Sequence, residues 1–163
     1  MKKLLLLVLA AVLAAAAGLL PFPRRDVGSL LPVRALSASY GGGVLTLRGG
    51  DGLEGRGAGW DEAMDDLRAS APGDAFFGCT GELILAENAA RFLPDAVRDE
   101  SLRPACRVYL TENRIDPETA ADYLGAHPGT VTLQSVRAAA LEGRRETPPT
   151  LRCEDGRYEL LAR

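Results

Sequence analysis

In the stretch Gly59-Trp60-Asp61-Glu62-Ala63-Met64-Asp65-Asp66-Leu67, the apolar residues Trp60, Ala63, Met64 and Leu67 recur at i, i+3, i+4 and i+7. That is the period of a helix with one face turned to a core. Asp61 and Glu62 fall in its first turn, where carboxylates favour the positive helix end. Asp65 and Asp66 are neighbours in sequence and point in different directions, which suits a solvated face better than a catalytic pair. Trp60, Met64 and Leu67 are expected to rest on Ile84 and Val108 of a sheet.

Strand patterns lie on both sides of this helix. Val33 to Ser39 and Val44 to Arg48 read as two strands around Tyr40-Gly41-Gly42-Gly43, a hairpin signal. Gly49 to Gly59 is glycine-rich and reads as a flexible loop. Its Gly55-Arg56-Gly57-Ala58-Gly59 lacks the Gly-Lys-Ser/Thr ending that a phosphate loop needs. After the turn Pro72-Gly73-Asp74, the stretch Phe76 to Leu85 is expected to contain a buried strand ending in Leu83-Ile84-Leu85. Ala89, Phe92, Leu93, Ala96 and Val97 have helical spacing, but Pro94 breaks the run and opens a second short helix. Arg107 to Thr111 is a strand with Val108 and Leu110 on one face. Asp116-Pro117 starts a helix, a capping carboxylate followed by proline at the first helical position. Its buried face is Ala120, Ala121 and Leu124. Leu133, Val136, Ala140 and Leu141 mark a last helix that Gly143 stops. Asp155-Gly156 then closes a final hairpin between Leu151 to Cys153 and Tyr158 to Leu161. The fold class that follows is α+β or α/β, a mixed β-sheet with helices packed on it.

The N-terminus reads differently. Lys2 and Lys3 precede an apolar run from Leu4 to Leu20, and small residues, Ala14 to Gly18, crowd its end. This charged, apolar, small-residue order is that of an export signal. The run also approaches the roughly 17–25 residues that span a bilayer. Residues 1–20 are therefore a signal peptide or an N-terminal membrane anchor, residues 21–32 a linker, and residues 33–163 a single domain. In either case the domain is expected to be exported, secreted or held on the extracytoplasmic face of a membrane.

The net charge of the chain is −3, and both lysines lie in the leader, so the exported part is more acidic still. Such a domain has no electrostatic reason to bind nucleic acid. Its basic residues are arginines apart from His127, which reads as a composition bias. Cys79, Cys106 and Cys153 match no zinc spacing. Two of them paired in an oxidising compartment, or three small buried residues, both remain open. His127 sits in the turn Gly125-Ala126-His127-Pro128-Gly129 with no acid neighbour. No residue qualifies as catalytic, cofactor-binding or metal-ligating. The competing reading is a secreted enzyme or small-ligand binder that uses His127 with a cysteine.

Several blocks in order resemble the N-terminal part of the Ger(x)C family, the C subunits of bacterial spore germinant receptors. Arg25-Asp26-Val27 and Leu31 to Leu36 look like its post-signal stretch, and Tyr40 to Leu47 like its first hairpin. Gly57-Ala58-Gly59-Trp60-Asp61-Glu62-Ala63-Met64-Asp65-Asp66-Leu67 looks like its glycine-led helix, and Phe76-Phe77-Gly78-Cys79 with Leu83-Ile84-Leu85 like the strand that follows. Phe92-Leu93 to Arg98-Asp99, Val108 to Leu110 and Ala120 to Leu124 continue the likeness. The resemblance implies a non-enzymatic subunit on the outer face of the spore inner membrane, acting with membrane-embedded receptor subunits in germination; the ligand is unknown. Ala17-Gly18 stands where family members carry a lipidated cysteine, so anchoring is expected from the apolar N-terminus itself. Members also continue into further domains. Tyr158-Glu159-Leu160-Leu161 resembles the strand that opens the next one, which suggests a stripped-down relative.

Overall fold

The computed structural model describes residues 29–161. The apolar leader and most of the linker lie outside the described residues. Among the described residues no helix is long and apolar enough to cross a membrane.

The first strand, β1 (Leu30–Pro32), begins inside the segment assigned to the linker and pairs in parallel with β5 (Asp74–Phe76). A seven-stranded mixed sheet forms the centre, in the order β4-β3-β2-β6-β7-β8-β9. Its strands are β2 (Ala35–Gly41), β3 (Val44–Arg48), β4 (Glu54–Gly57), β6 (Glu82–Ala86), β7 (Arg107–Thr111), β8 (Thr150–Glu154) and β9 (Arg157–Leu161). β2, β6, β7 and β8 run parallel to one another, while β3, β4 and β9 are added as antiparallel edges. The β2–β3 and β8–β9 hairpins close on the two-residue turns Gly42-Gly43 and Asp155-Gly156, all four residues at positive φ, as short hairpins require.

Four helices connect these strands: α1 (Trp60–Ser70), α2 (Leu93–Arg98), α3 (Pro117–Ala126) and α4 (Leu133–Leu141). A 3-10 segment, Glu87–Phe92, leads into α2, with Pro94 in its first turn. The strand alternation sorts the core into two faces. Leu36, Leu45, Leu47, Leu83, Leu85 and Val108 turn toward α1, α2 and Leu133 of α4. Ile84, Tyr109 and Leu151 turn the other way, toward Ala120 and Leu124 of α3.

The sequence expectations hold for α1, whose Trp60, Ala63, Met64 and Leu67 are all buried, and for the capped start of α3, where Asp116 accepts from Thr119 N at 3.0 Å. Three points need correction. Ile84 does not lie under α1. It sits between Leu83 and Leu85, which do, so the pleat sends it to the α3 face. Gly49 to Gly59 is not simply a loop, because Glu54–Gly57 is a strand paired with β3. Last, the expected buried stripe of α4 is only partly covered: Leu133 and Ala139 are buried, whereas Ala140 is exposed and Leu141 is 83% exposed.

Candidate functional site

The residues singled out in the sequence scatter over the fold. His127 caps the C-terminus of α3, where its ring stacks on Tyr123 at 4.5 Å and its Nδ1 lies 3.2 Å from the Tyr123 carbonyl. All three cysteines are free thiols. Cys79 donates to the Phe76 carbonyl at 3.3 Å, and Cys153 packs at the margin of the α3-side core beside Tyr123 and Tyr158. Asp65 pairs with Arg68 at 2.9 Å, and Asp66 accepts from the Arg56 backbone at 2.8 Å. Both carboxylates are thus in structural use. Among the described residues no group of His, Cys, Asp and Glu is placed to hold a metal.

Cys106 is fully buried, and that burial, with the Glu82 carboxylate adding to it, pushes its thiol up to about 12. The thiolate is the reactive form, so the shift lowers the reactive fraction of Cys106 at pH 8, and its burial closes it to reagents as well. A disulfide-exchange reagent at pH 8 is expected to titrate Cys79 and Cys153 in the native protein and to reach Cys106 only in urea. Equal rates at all three would contradict the burial of Cys106 just before β7.

One polar cluster is partly buried between strands. Glu82 on β6 faces Arg107 on β7, with Nη2 to Oε1 at 2.7 Å and Nε to Oε2 at 3.3 Å. This two-pronged pair holds the Arg107 guanidinium above its ordinary range. Next along β7, the Tyr109 hydroxyl accepts from Gly129 N at 3.0 Å, and burial raises Tyr109 to about 12. The cluster ties two strands and the loop after α3 together, and every charged group in it has a partner.

The open feature of the surface lies on the other face of the sheet, between α2 and α4. It is a groove of about 450 Å³. Leu93, Pro94 and Val97 form one wall, and Val136, Ala140 and Leu141 the other. Its rim is arginine: Arg91, Arg98, Arg137, Arg144 and Arg145, with Glu146 as the one acid. A second depression, about 570 Å³ in volume, shares Val97, Arg98 and Arg137 and extends the groove toward Pro104 and Gln134.

Local chemistry fixes both walls. Tyr40 N at the end of β2 donates to Asn88 Oδ1 at 3.2 Å, and Arg91 lies over the Tyr40 ring at 3.7 Å, which pins the 3-10 segment before α2. The N-terminus of α4 is held by a capping box between Thr132 and Ser135, and by Leu133 N donating to the Cys106 carbonyl at 2.9 Å. At its other end Arg144 N turns back to the Ala139 carbonyl at 2.8 Å, so Arg144 and Arg145 come to lie at the end of the groove. Arg98 pairs with Asp95 at 2.7 Å, and Arg144 pairs with Glu142. Arg137 and Arg145 have no carboxylate within ion-pair distance among the described residues.

The sequence hid this site for two reasons. The apolar stripe of α4 reads as core, and the arginines read as composition. Arg144-Arg145 just past the helix stop was the available signal.

The fold and the groove together define a mixed α+β domain, helices on both faces of its sheet, with an apolar, cationic trough left open. No family model matches the chain, and neither a curated protein nor a solved structure does.

Proposed function

We propose that this protein is an exported, membrane-associated, non-enzymatic subunit that works by assembly with membrane-embedded partners, in the manner of the C component of spore germinant receptors. The observation that carries the reading is the groove between α2 and α4. A single domain of this size does not ordinarily leave a helix face of Val136, Ala140 and Leu141 uncovered beside a second apolar wall, and such surfaces mark interaction sites. The leader Leu4 to Leu20 supplies the route to the membrane, and the ordered likeness from Arg25 to Leu124 supplies the germination setting.

Affinity purification of the tagged full chain from detergent-solubilised membranes of its sporulating host tests the assembly. An integral membrane protein is expected to co-purify at a fixed ratio. Recovery of the chain alone from the soluble fraction would overturn the proposal.

A further inference from the structure

We infer that the α2–α4 groove receives an acidic, amphipathic segment of a partner protein, its apolar residues at helical spacing and its carboxylates along the flanks. The inference rests on the assembly reading above and names the chemistry of the partner at that same site.

Charge carries the argument. The chain as a whole is acidic, with a net charge of −3, yet the lining of the 450 Å³ groove collects five arginines against Glu146, and Asp99 and Glu100 enter only in the depression beyond it. Arg91 lies over the Tyr40 and Phe92 rings, and Arg98 and Arg144 are paired with Asp95 and Glu142, which leaves Arg137 and Arg145 as the lining arginines with neither an ion pair nor a ring contact among the described residues. A guanidinium presents a planar fork of donors that matches a carboxylate in pairs, and it binds with less loss of hydration than an ammonium. Between the cationic rims runs an apolar floor, Leu93 and Val97 facing Val136 and Leu141. Apolar anchors at i, i+3 or i+4 and i+7 with acidic flanks satisfy floor and rim together, which is the helix-in-groove mode of recognition.

A lipid surface fits these observations less well. The site is a trough between two helices, whereas a bilayer presents a broad surface. Its position points the same way. β2 and β6 are parallel, and the described chain comes in at Leu30, before the N-terminal end of β2. The 3-10 segment follows the C-terminal end of β6, and Arg91 lies over Tyr40 near the C-terminal end of β2. The Arg91 end of the groove is therefore at the far end of the sheet from the side that a leader would tether.

A photo-crosslinking residue placed at Leu141 of the full chain, in membranes of its host, tests this, with the same residue at exposed Phe76 as the control. Leu141 is expected to give an adduct, absent from Phe76. Mass spectrometry should map it to a segment of another protein with net negative charge and apolar residues at helical spacing. The double variant Arg137→Glu with Arg145→Glu breaks no ion pair among the described residues. It should unfold at the wild-type temperature and lose the adduct at least tenfold. An adduct to lipid, to a neutral or basic segment, or to a second copy of this chain would overturn the inference, and so would the absence of any adduct. Co-purification that survives the double variant with no adduct at Leu141 would sink this inference and leave the assembly reading intact. Loss of co-purification in the wild type would sink the assembly reading first.

Discussion

Gly55→Ala is expected to destabilise the domain by about 3 kcal/mol or more, a large share of a total stability on the order of 5–10 kcal/mol. The reason is the closeness of α1 to β4. A Cβ added at Gly55 would stand 2.3 Å from the Ala63 carbonyl oxygen, 2.3 Å from Leu67 N and 2.4 Å from Leu67 Cβ. Two of these are backbone atoms of a helix and cannot rotate away. Gly57 shows the same constraint, with Ala63 N at 2.5 Å. The glycines that suggest a loop in the sequence are there so that a helix can lie directly on an edge strand. Gly125 of α3 is the internal control, since a Cβ there meets nothing within 4 Å. Gly125→Ala should be neutral or stabilise by up to about 1 kcal/mol. Urea unfolding of the two variants reads the difference. Equal midpoints would show that α1 does not sit on β4 as described.

Leu67→Ala is expected to cost about 3 kcal/mol, within the range for truncating a fully buried leucine. Leu67 closes the same interface from the helix side, in the core that also contains Trp60, Met64, Leu83 and Val108. Truncating it leaves a cavity that the rigid strand floor cannot fill. It should not rescue Gly55→Ala, because the Ala63 oxygen, the Leu67 nitrogen and Cβ all remain in the double variant. The double variant is therefore expected to be less stable than Gly55→Ala alone, as read from denaturant midpoints, though not by the simple sum, because the two positions touch. A cost for Leu67→Ala within about 0.5 kcal/mol would mean that this helix face is not in the core.

Much of the fold was legible where local chemistry and the tertiary fold agree. The i, i+3, i+4, i+7 spacing of α1, the Asp116-Pro117 start of α3 and the Asp155-Gly156 turn each have one strongly preferred local solution, and the chain adopts it. Leu83-Ile84-Leu85 was legible as a buried strand but not in orientation. Helices cover both faces of the sheet, so a continuous apolar run gives no sign of which residues face which layer. β4 was hidden because glycine is a poor strand former, and its presence at Gly55 and Gly57 answers to a neighbour, α1, that lies elsewhere in the pattern.

The groove was illegible for a related reason. Apolar spacing along α4 reports which side chains share a face, not what covers that face. Leu133 is covered by the chain's own core, while Leu141 at the other end of the same stripe is bare. Arginine content, too, says nothing of position until α2 and α4 bring Arg98 and Arg137 to one trough. His127 is the opposite case. The glycine and proline around it suggested an exposed turn, and it is exposed at the C-terminal cap of α3, against Tyr123.

Germination of a deletion strain tests the central proposal most directly. Purified spores lacking the gene, mixed with nutrient germinants, should show a strongly reduced fall in optical density. The wild-type gene should restore the response, and so should His127→Ala, because the proposed role needs assembly and no bond-making side chain. A deletion strain whose spores germinate at the wild-type rate would contradict the account. So would failure of a folded, exported His127→Ala protein to restore the response.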